Sequence, residues 1–259
     1  MKKTIKIFFI LISILILALI FKEKYPILLK KIIYTQRKLI PLISKNFKNK
    51  DNHLTAFFLL FLYGFIHSIG PGHGKFIISS STLIDKLNIK KIIMLSAIIA
   101  YLQGFSALFF YHFFLLIKKQ ISPHLSFSLE NNFQKISAFL IILLIIFIIF
   151  KEIKKRKFSL NKVNNKNVYV FAILLGLIPC GGILNILIFL KLLNLDKYNF
   201  ISTISICSGM FATLFLSGVL STNITTRFKN ILNLKYIYYL KYLGFIFIII
   251  YIFTNFIIY

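Results

Sequence analysis

Long apolar segments separated by short basic ones constrain this chain more than any other feature of its sequence. Each segment is close to the roughly 20 residues that cross a bilayer as a helix. The seven segments are Ile7–Phe21, Leu54–Gly70, Ile92–Ile117, Ile136–Phe150, Val168–Leu190, Phe200–Ser221 and Tyr236–Tyr259. The chain is 58% hydrophobic, above the roughly 45–50% of a soluble domain. The pattern predicts an all-α polytopic membrane protein and excludes an ordinary soluble enzyme.

The first segment has the residue pattern of a secretion signal. A basic start with Lys2, Lys3 and Lys6 precedes a short apolar run. No small-x-small cleavage site follows, which favours an uncleaved signal anchor over residues 1–21 and leaves the cleaved signal peptide as the alternative. In either case six helices remain for the core, within residues 54–259.

The formal net charge of +26 bears on topology rather than on a nucleic-acid partner, because the basic residues lie in short segments between the apolar runs. Residues 22–53 are the longest of these segments. Their apolar spacing predicts an amphipathic helix lying on the membrane. With this segment set aside, Lys and Arg place the N-terminus and the loop Lys151–Asn167 in the cytoplasm. We therefore expect a multi-pass protein of the cytoplasmic (inner) membrane, with the C-terminus outside.

The six core helices read as two related halves, about residues 54–150 and 168–259. Each half has a proline beside glycines in its first span, and each has a similar phrase about 30 residues later. The phrases are Gln103-Gly104-Phe105-Ser106-Ala107 and Ser208-Gly209-Met210-Phe211-Ala212. Three helices in each half would make the halves face opposite ways. Inverted repeats with broken helices at matching positions are typical of transporters, and the breaks point to the binding site.

Two helix breaks are predicted, one in each half. Gly70, Pro71 and Gly72 should interrupt the helix that begins near Leu54, because proline lacks an N–H and glycine frees the backbone. Pro179, followed by Cys180 and two glycines, should do the same in the second half. An unwound joint at membrane depth is tolerated only against protein or a watery cavity.

The side chains at these breaks are the candidate metal ligands. His67 and His73 flank the first break, and imidazole suits Ni²⁺, Co²⁺, Zn²⁺ and Cu²⁺. The turn between them could direct both rings to one point. Cys180, at the second break, is a possible soft ligand, and Gln103 and Asn185 could supply oxygen or support the site. All six carboxylates fall in loops or at span ends, so no carboxylate is predicted at the membrane centre. His53 and His124 are placed in loops and His112 near a span end, outside the predicted site.

At these residues the sequence resembles the NicO/RcnA-type nickel/cobalt transporters. The block from His67 to Lys75 looks like the first signature of that family, and Gly176-Leu177-Ile178-Pro179-Cys180 looks like the second. The resemblance implies a six-helix inner-membrane core that moves Ni²⁺ or Co²⁺, commonly outward, with the ion as substrate and no cofactor. It carries the family's histidine pair onto His67 and His73. Gly181 stands where relatives often have proline, and the loop Lys151–Asn167 lacks the histidines that exporters often have there.

Two other functions remain open at this stage. A membrane thiol–disulfide relay similar to the DsbD/CcdA transporters would use Cys180 and Cys207, but it calls for a cysteine at both breaks. A small-solute exporter of the LysE kind would hold an organic ligand at the breaks. No nucleotide-binding motif is present in the sequence, so any ATP coupling would need a partner chain. We expect a transporter and not an enzyme.

Overall fold

The computed structural model describes residues 27, 30–49, 52–69, 74, 75, 78, 87–117, 139, 143 and 165–228. Within these ranges the chain is helical, with no strand. The helices are α1 (residues 30–48), α2 (His53–Ile69), α3 (Ile89–Ile117), α4 (Asn165–Gly176), α5 (Gly181–Leu192) and α6 (Asn199–Phe228). The predicted anchor over residues 1–21 and the predicted spans Ile136–Phe150 and Tyr236–Tyr259 lie outside these ranges, apart from residues 139 and 143.

Three stretches of the described chain are long and apolar enough to cross a membrane. They are Ile89–Leu116, Val168–Leu192 and Asp196–Asn223. Helix α2 is apolar but shorter, with 17 residues. Lipid offers no hydrogen-bond partner to a backbone, so helices are the expected way for such a sequence to span a bilayer. An all-helical membrane protein is therefore supported.

The break predicted at Pro179 is confirmed. Helix α4 ends at Gly176, residues 177–180 are not helical, and α5 begins at Gly181. Proline removes a backbone donor here, and the turn is closed by the N–H of Ile178 donating to the carbonyl of Leu175. The predicted span Val168–Leu190 is thus two half-helices. The break predicted at Gly70, Pro71 and Gly72 lies outside the described residues.

Small residues let the long helices approach one another closely. A Cβ at Gly64 of α2 would lie 2.8 Å from the carbonyl carbon of Ile206 on α6. A Cβ at Gly209 of α6 would lie 2.6 Å from the backbone nitrogen of Phe65 on α2. The Thr213 hydroxyl donates across the same contact to the carbonyl of Phe65, at 3.0 Å. This small-residue packing is typical of membrane helices, for which van der Waals contact replaces the hydrophobic effect.

Helix α5 is largely buried. Seven of its twelve residues are buried: Gly182, Ile183, Leu184, Ile186, Leu187, Ile188 and Leu190. A mainly apolar helix that is buried on most of its sides is enclosed by its neighbours. The break at its first residue is therefore held among other helices, where an unwound backbone can persist.

Helix α1 runs antiparallel to α2. Near its end, the ring of Phe47 lies 5.5 Å from that of Phe57, at the start of α2. Near its beginning, Gln36 meets His67, at the end of α2. Ile43 and Phe47 are buried in the common core, with Leu39 and Ile40 packed against it. A helix is present in the segment for which an amphipathic one is predicted, and the part of its apolar face from Leu39 to Phe47 packs against protein. That the segment lies on the membrane stays a prediction.

Candidate functional site

The centre of the candidate site is a contact between an imidazole and a thiol. His67 lies in the last turn of α2, and its Nε2 is 3.1 Å from Sγ of Cys180. These residues are 113 positions apart in the chain. The structure therefore brings together two of the three side chains that the sequence proposes as metal ligands.

Cys180 is placed by the break in the second half. It is the N-cap residue of α5, with an extended backbone (φ −83°, ψ 118°), and its carbonyl accepts the N–H groups of Ile183 and Leu184. Its side chain makes no capping hydrogen bond. The sulfur is directed to His67 instead. The thiolate is the form of cysteine that binds metal.

A tyrosine and a glycine fix the histidine ring. The ring of Tyr63 stacks nearly parallel to that of His67, with an interplanar angle of 8° and centroids 6.0 Å apart. Its hydroxyl donates to the carbonyl of Gly182 at 3.3 Å, which ties α2 to α5 beside the site. A Cβ on Gly182 would lie 2.8 Å from Nδ1 of His67. The imidazole can thus occupy this place only because residue 182 has no side chain.

Gln36 of α1 is the site residue that the sequence analysis missed. Its Nε2 lies 3.3 Å from Nδ1 of His67, on the opposite side of the ring from Cys180. The available signal was a polar residue on an apolar stripe, since Gln36 shares a helix face with Leu39, Ile43 and Phe47. Nothing in the sequence pairs that face with α2.

The other predicted site residues are less directly placed. Gln103 is buried on α3, and Asn185 is half-buried one turn into α5. No hydrogen bond joins Asn185 to His67 or Cys180 in the described part of the chain. His73, Gly70, Pro71 and Gly72 lie outside the described residues. The Lys75 ammonium donates to the carbonyl of Ile69, the last residue of α2, as expected of a cation at a helix C-terminus.

Hydroxyl groups near the site mainly satisfy backbone carbonyls. The Ser106 hydroxyl donates to the carbonyl of Leu177, in the break itself, at 2.6 Å. Ser205 donates to the carbonyl of Ile201, one turn earlier on α6. Ser208 lies 3.1 Å from the hydroxyl of Tyr101 and also bonds within its own helix. The bond of Ser106 and the contact of Ser208 with Tyr101 join different segments, whereas the Ser205 bond lies within α6.

The chemistry that this arrangement supports is soft-metal binding by few ligands. Imidazole nitrogen and thiolate sulfur both bind the later divalent transition metals well. Among the described residues, no three His, Cys, Asp or Glu side chains gather at one point. The pair could supply two protein ligands to such an ion, and further ligands would come from water or from residues outside the described ranges.

Comparison with known proteins bears on the same part of the chain. Residues 53–161, which contain His67 and His73, match the family model of NicO, the high-affinity nickel-transport protein. The resemblance to the nickel/cobalt transporters is confirmed. A Haemophilus influenzae protein that carries the provisional name nickel/cobalt efflux system is 36% identical over 78 residues. That match covers 28% of this chain and 24% of the relative, so the chain spans about a quarter of the relative's length. No solved structure matches the chain.

Proposed function

We propose that this protein carries Ni²⁺ or Co²⁺ outward across the inner membrane, with His67, His73 and Cys180 as the protein ligands. The observation that carries the proposal is the 3.1 Å approach of the His67 imidazole to the Cys180 thiol at a helix break. The match of residues 53–161 to NicO supports nickel as a substrate. The name of the Haemophilus influenzae relative supports efflux as the direction.

An ion would enter between the two facing side chains. Metal–nitrogen bonds of about 2.1 Å and metal–sulfur bonds of about 2.3 Å, as for zinc, need only a small separation of two atoms that are now 3.1 Å apart. The thiol would lose its proton on binding, which makes affinity fall as the pH falls. Few protein ligands hold the ion weakly enough for release, which transport requires. The ion is cargo, and the proposal calls for no cofactor.

The inverted-repeat architecture is part of the proposal. In the first half, the residue after Gly64 offers its carbonyl to Thr213 of α6. In the second half, the residue after Gly176 offers its carbonyl to Ser106 of α3. The first span of each half thus accepts a hydroxyl hydrogen bond from the second helix of the other half. Ser106 aligns with Phe211 rather than Thr213 in the two phrases, so this reciprocity supports the proposed inverted repeat through the helices that meet, not through matching residues.

The Gly70–Gly72 turn would then mirror the observed break at Pro179. His73, which follows that turn in the sequence, would supply the third protein ligand. Gln103 and Asn185 would support the site from α3 and α5. The anchor over residues 1–21, the connecting segment 22–53 and the cytoplasmic loop Lys151–Asn167 complete the proposed topology.

The thiol relay is the less well supported function. Both cysteines are free thiols. The sulfur of Cys180 faces an imidazole, whereas Cys207 is buried where α6 packs on Gly104 of α3. An imidazole–thiol pair suits metal binding better than disulfide exchange between these two residues.

Metal flux in proteoliposomes tests the proposal. Purified protein is reconstituted with a metal-sensing dye inside, and Ni²⁺ or Co²⁺ is added outside. We expect flux with wild type and loss of flux with His67→Ala. His112→Ala is the matched control, because that exposed ring bonds a carbonyl of its own helix, away from Cys180.

Direction is tested with oriented membrane vesicles. Everted vesicles from expressing cells should accumulate the metal, and right-side-out vesicles should not. Folded wild-type protein that moves neither ion would refute the proposed transport, and trapping of a Cys180–Cys207 disulfide would then support the relay.

A further inference from the structure

Helix α1 closes the candidate site from the side that the cysteine leaves open. His67 has two ring nitrogens, and the two have different partners. Nε2 meets Cys180 at 3.1 Å, and Nδ1 meets the side-chain amide of Gln36 at 3.3 Å. Because neutral imidazole carries one proton, the partner of Nδ1 decides whether Nε2 presents a lone pair or a hydrogen to the thiol.

We propose that Gln36 is a positioning residue that sets the tautomer of His67 by reversing its side-chain amide. This inference rests on the proposed metal site and names a residue that governs it. With the amide nitrogen facing Nδ1, as in the structure, Gln36 donates and the ring proton sits on Nε2. Nε2 then donates toward Cys180, and no lone pair is available to a metal.

Reversal of the amide produces the binding state. The ring gives up its Nε2 proton to water and takes one up from water at Nδ1, so it stays neutral; the side-chain carbonyl of Gln36 accepts a hydrogen bond from Nδ1–H, and the lone pair of Nε2 is directed to Cys180 and to an incoming ion. Nitrogen and oxygen of a side-chain amide are nearly equal in size, so the reversal needs no movement of α1. Metal-binding histidines usually donate their second N–H to a carbonyl or carboxylate, and loss of that partner typically weakens metal binding.

The position of Gln36 is held by the rest of α1. Leu39, Ile40, Ile43 and Phe47 continue the same face and pack into the core. At the far end, the ring of Phe47 stacks on Tyr198 with centroids 5.1 Å apart. Because these contacts anchor α1 along its length, they hold the Gln36 amide next to the His67 imidazole. A side-chain amide can donate through its nitrogen and accept through its oxygen, so one residue can serve either tautomer of the ring.

Two substitutions at Gln36 distinguish the effect of accepting a hydrogen bond from His67 from the effect of donating one. Gln36→Glu keeps the acceptor and cannot donate when ionised, and Gln36→Met keeps the length and does neither. Thr35→Val is the matched control on α1, because the Thr35 hydroxyl bonds Lys31 on the exposed side. The metal-free protein is labelled with ¹⁵N-histidine to identify the protonated ring nitrogen of His67. Co²⁺ is then titrated, and the thiolate-to-cobalt charge-transfer absorption is followed.

We expect Gln36→Glu to place the ring proton on Nδ1 and to bind Co²⁺ at least as tightly as wild type. Gln36→Met should bind about 10- to 100-fold more weakly, and Thr35→Val should match wild type. If Gln36→Met binds normally while His67→Ala abolishes the absorption, the inference about Gln36 is wrong and the metal site stands. Gln36→Glu with the proton on Nε2 would also overturn it. Absence of the absorption in wild type would overturn the site and this inference together.

Discussion

Helix α2 carries a histidine at each end, and the two have different surroundings. His53, the first residue, lies among aromatic rings, with the centroid of Tyr198 at 5.1 Å and that of Phe47 at 6.0 Å. Its Nε2 is 3.4 Å from the Tyr198 hydroxyl. His67 meets the thiol of Cys180 and the amide of Gln36. Helix α1 covers both, so a histidine on an apolar helix becomes a candidate ligand only where a helix break delivers sulfur to it.

Alanine variants of His67 and His53 should show the largest difference in Co²⁺ affinity. We expect His67→Ala to lower Co²⁺ affinity at least about 100-fold, because the ligand itself is lost. Loss of only the hydrogen-bond partner of a ligand typically weakens metal binding about 10- to 100-fold. His53→Ala should leave affinity unchanged and lower stability by about 1 kcal/mol through lost ring contacts. Isothermal titration and thermal unfolding in detergent measure the two effects. Equal affinities for the two variants would refute the comparison.

Variants of Cys180 and Cys207 should differ almost as much in Co²⁺ affinity. Cys180→Ser exchanges a soft thiolate for a hydroxyl that stays protonated, and we expect Co²⁺ affinity to fall about 100-fold with loss of the charge-transfer absorption. Cys207→Ala, the control, removes a buried thiol beside Gly104. Its affinity should remain that of wild type. A normal absorption in Cys180→Ser would show that Cys180 is not a ligand.

Alanine substitutions at two glycines distinguish an effect on the geometry of the proposed metal site from an effect on helix packing. In Gly182→Ala the added methyl group would meet the His67 ring, and we expect about 10-fold weaker binding as the imidazole moves. In Gly209→Ala the methyl group meets the backbone of α2, which should cost about 1–3 kcal/mol of stability. The folded fraction should still bind normally. Binding per folded molecule, with folding measured by size-exclusion chromatography, distinguishes these outcomes.

Phenylalanine variants of Tyr63 and Tyr198, the tyrosines beside His67 and His53, should show the smallest difference in Co²⁺ affinity. Tyr63→Phe removes the hydrogen bond to Gly182, and we expect a loss of about 1 kcal/mol in stability with a few-fold loss of affinity. Tyr198→Phe removes the longer contact to His53 and should change affinity by less than this. Larger affinity loss in Tyr198→Phe would place His53, rather than His67, in the binding path.

Much of the helical framework could be predicted from sequence. The apolar run starting at Leu54 predicts α2 to within one residue, and the run starting at Ile92 predicts α3 except for one turn at its beginning. The break at Pro179 follows from the covalent structure of proline. His53 was placed in a loop, yet it begins α2, because helix ends depend on contacts such as that with Tyr198.

The covering of the site by α1 could not be predicted. An amphipathic pattern shows which face of a helix is apolar, but it does not show whether lipid or protein covers that face. The sequence does propose His67 and Cys180 as ligands, through the breaks and the family resemblance. Their approach, and the proposed role of Gln36 opposite, depend on the packing of α1 and α2 against α5, which is distant from both in the chain.

The separation of 113 positions between His67 and Cys180 has a consequence for biosynthesis. A chain is made from its N-terminus, and domains generally fold in that order. While α5 is still inside the ribosome, α1 and α2 are already available to the membrane, but the histidine has no sulfur to face. A nascent or truncated chain that lacks α5 therefore cannot assemble the proposed two-ligand site, so an incomplete product would not conduct metal through it.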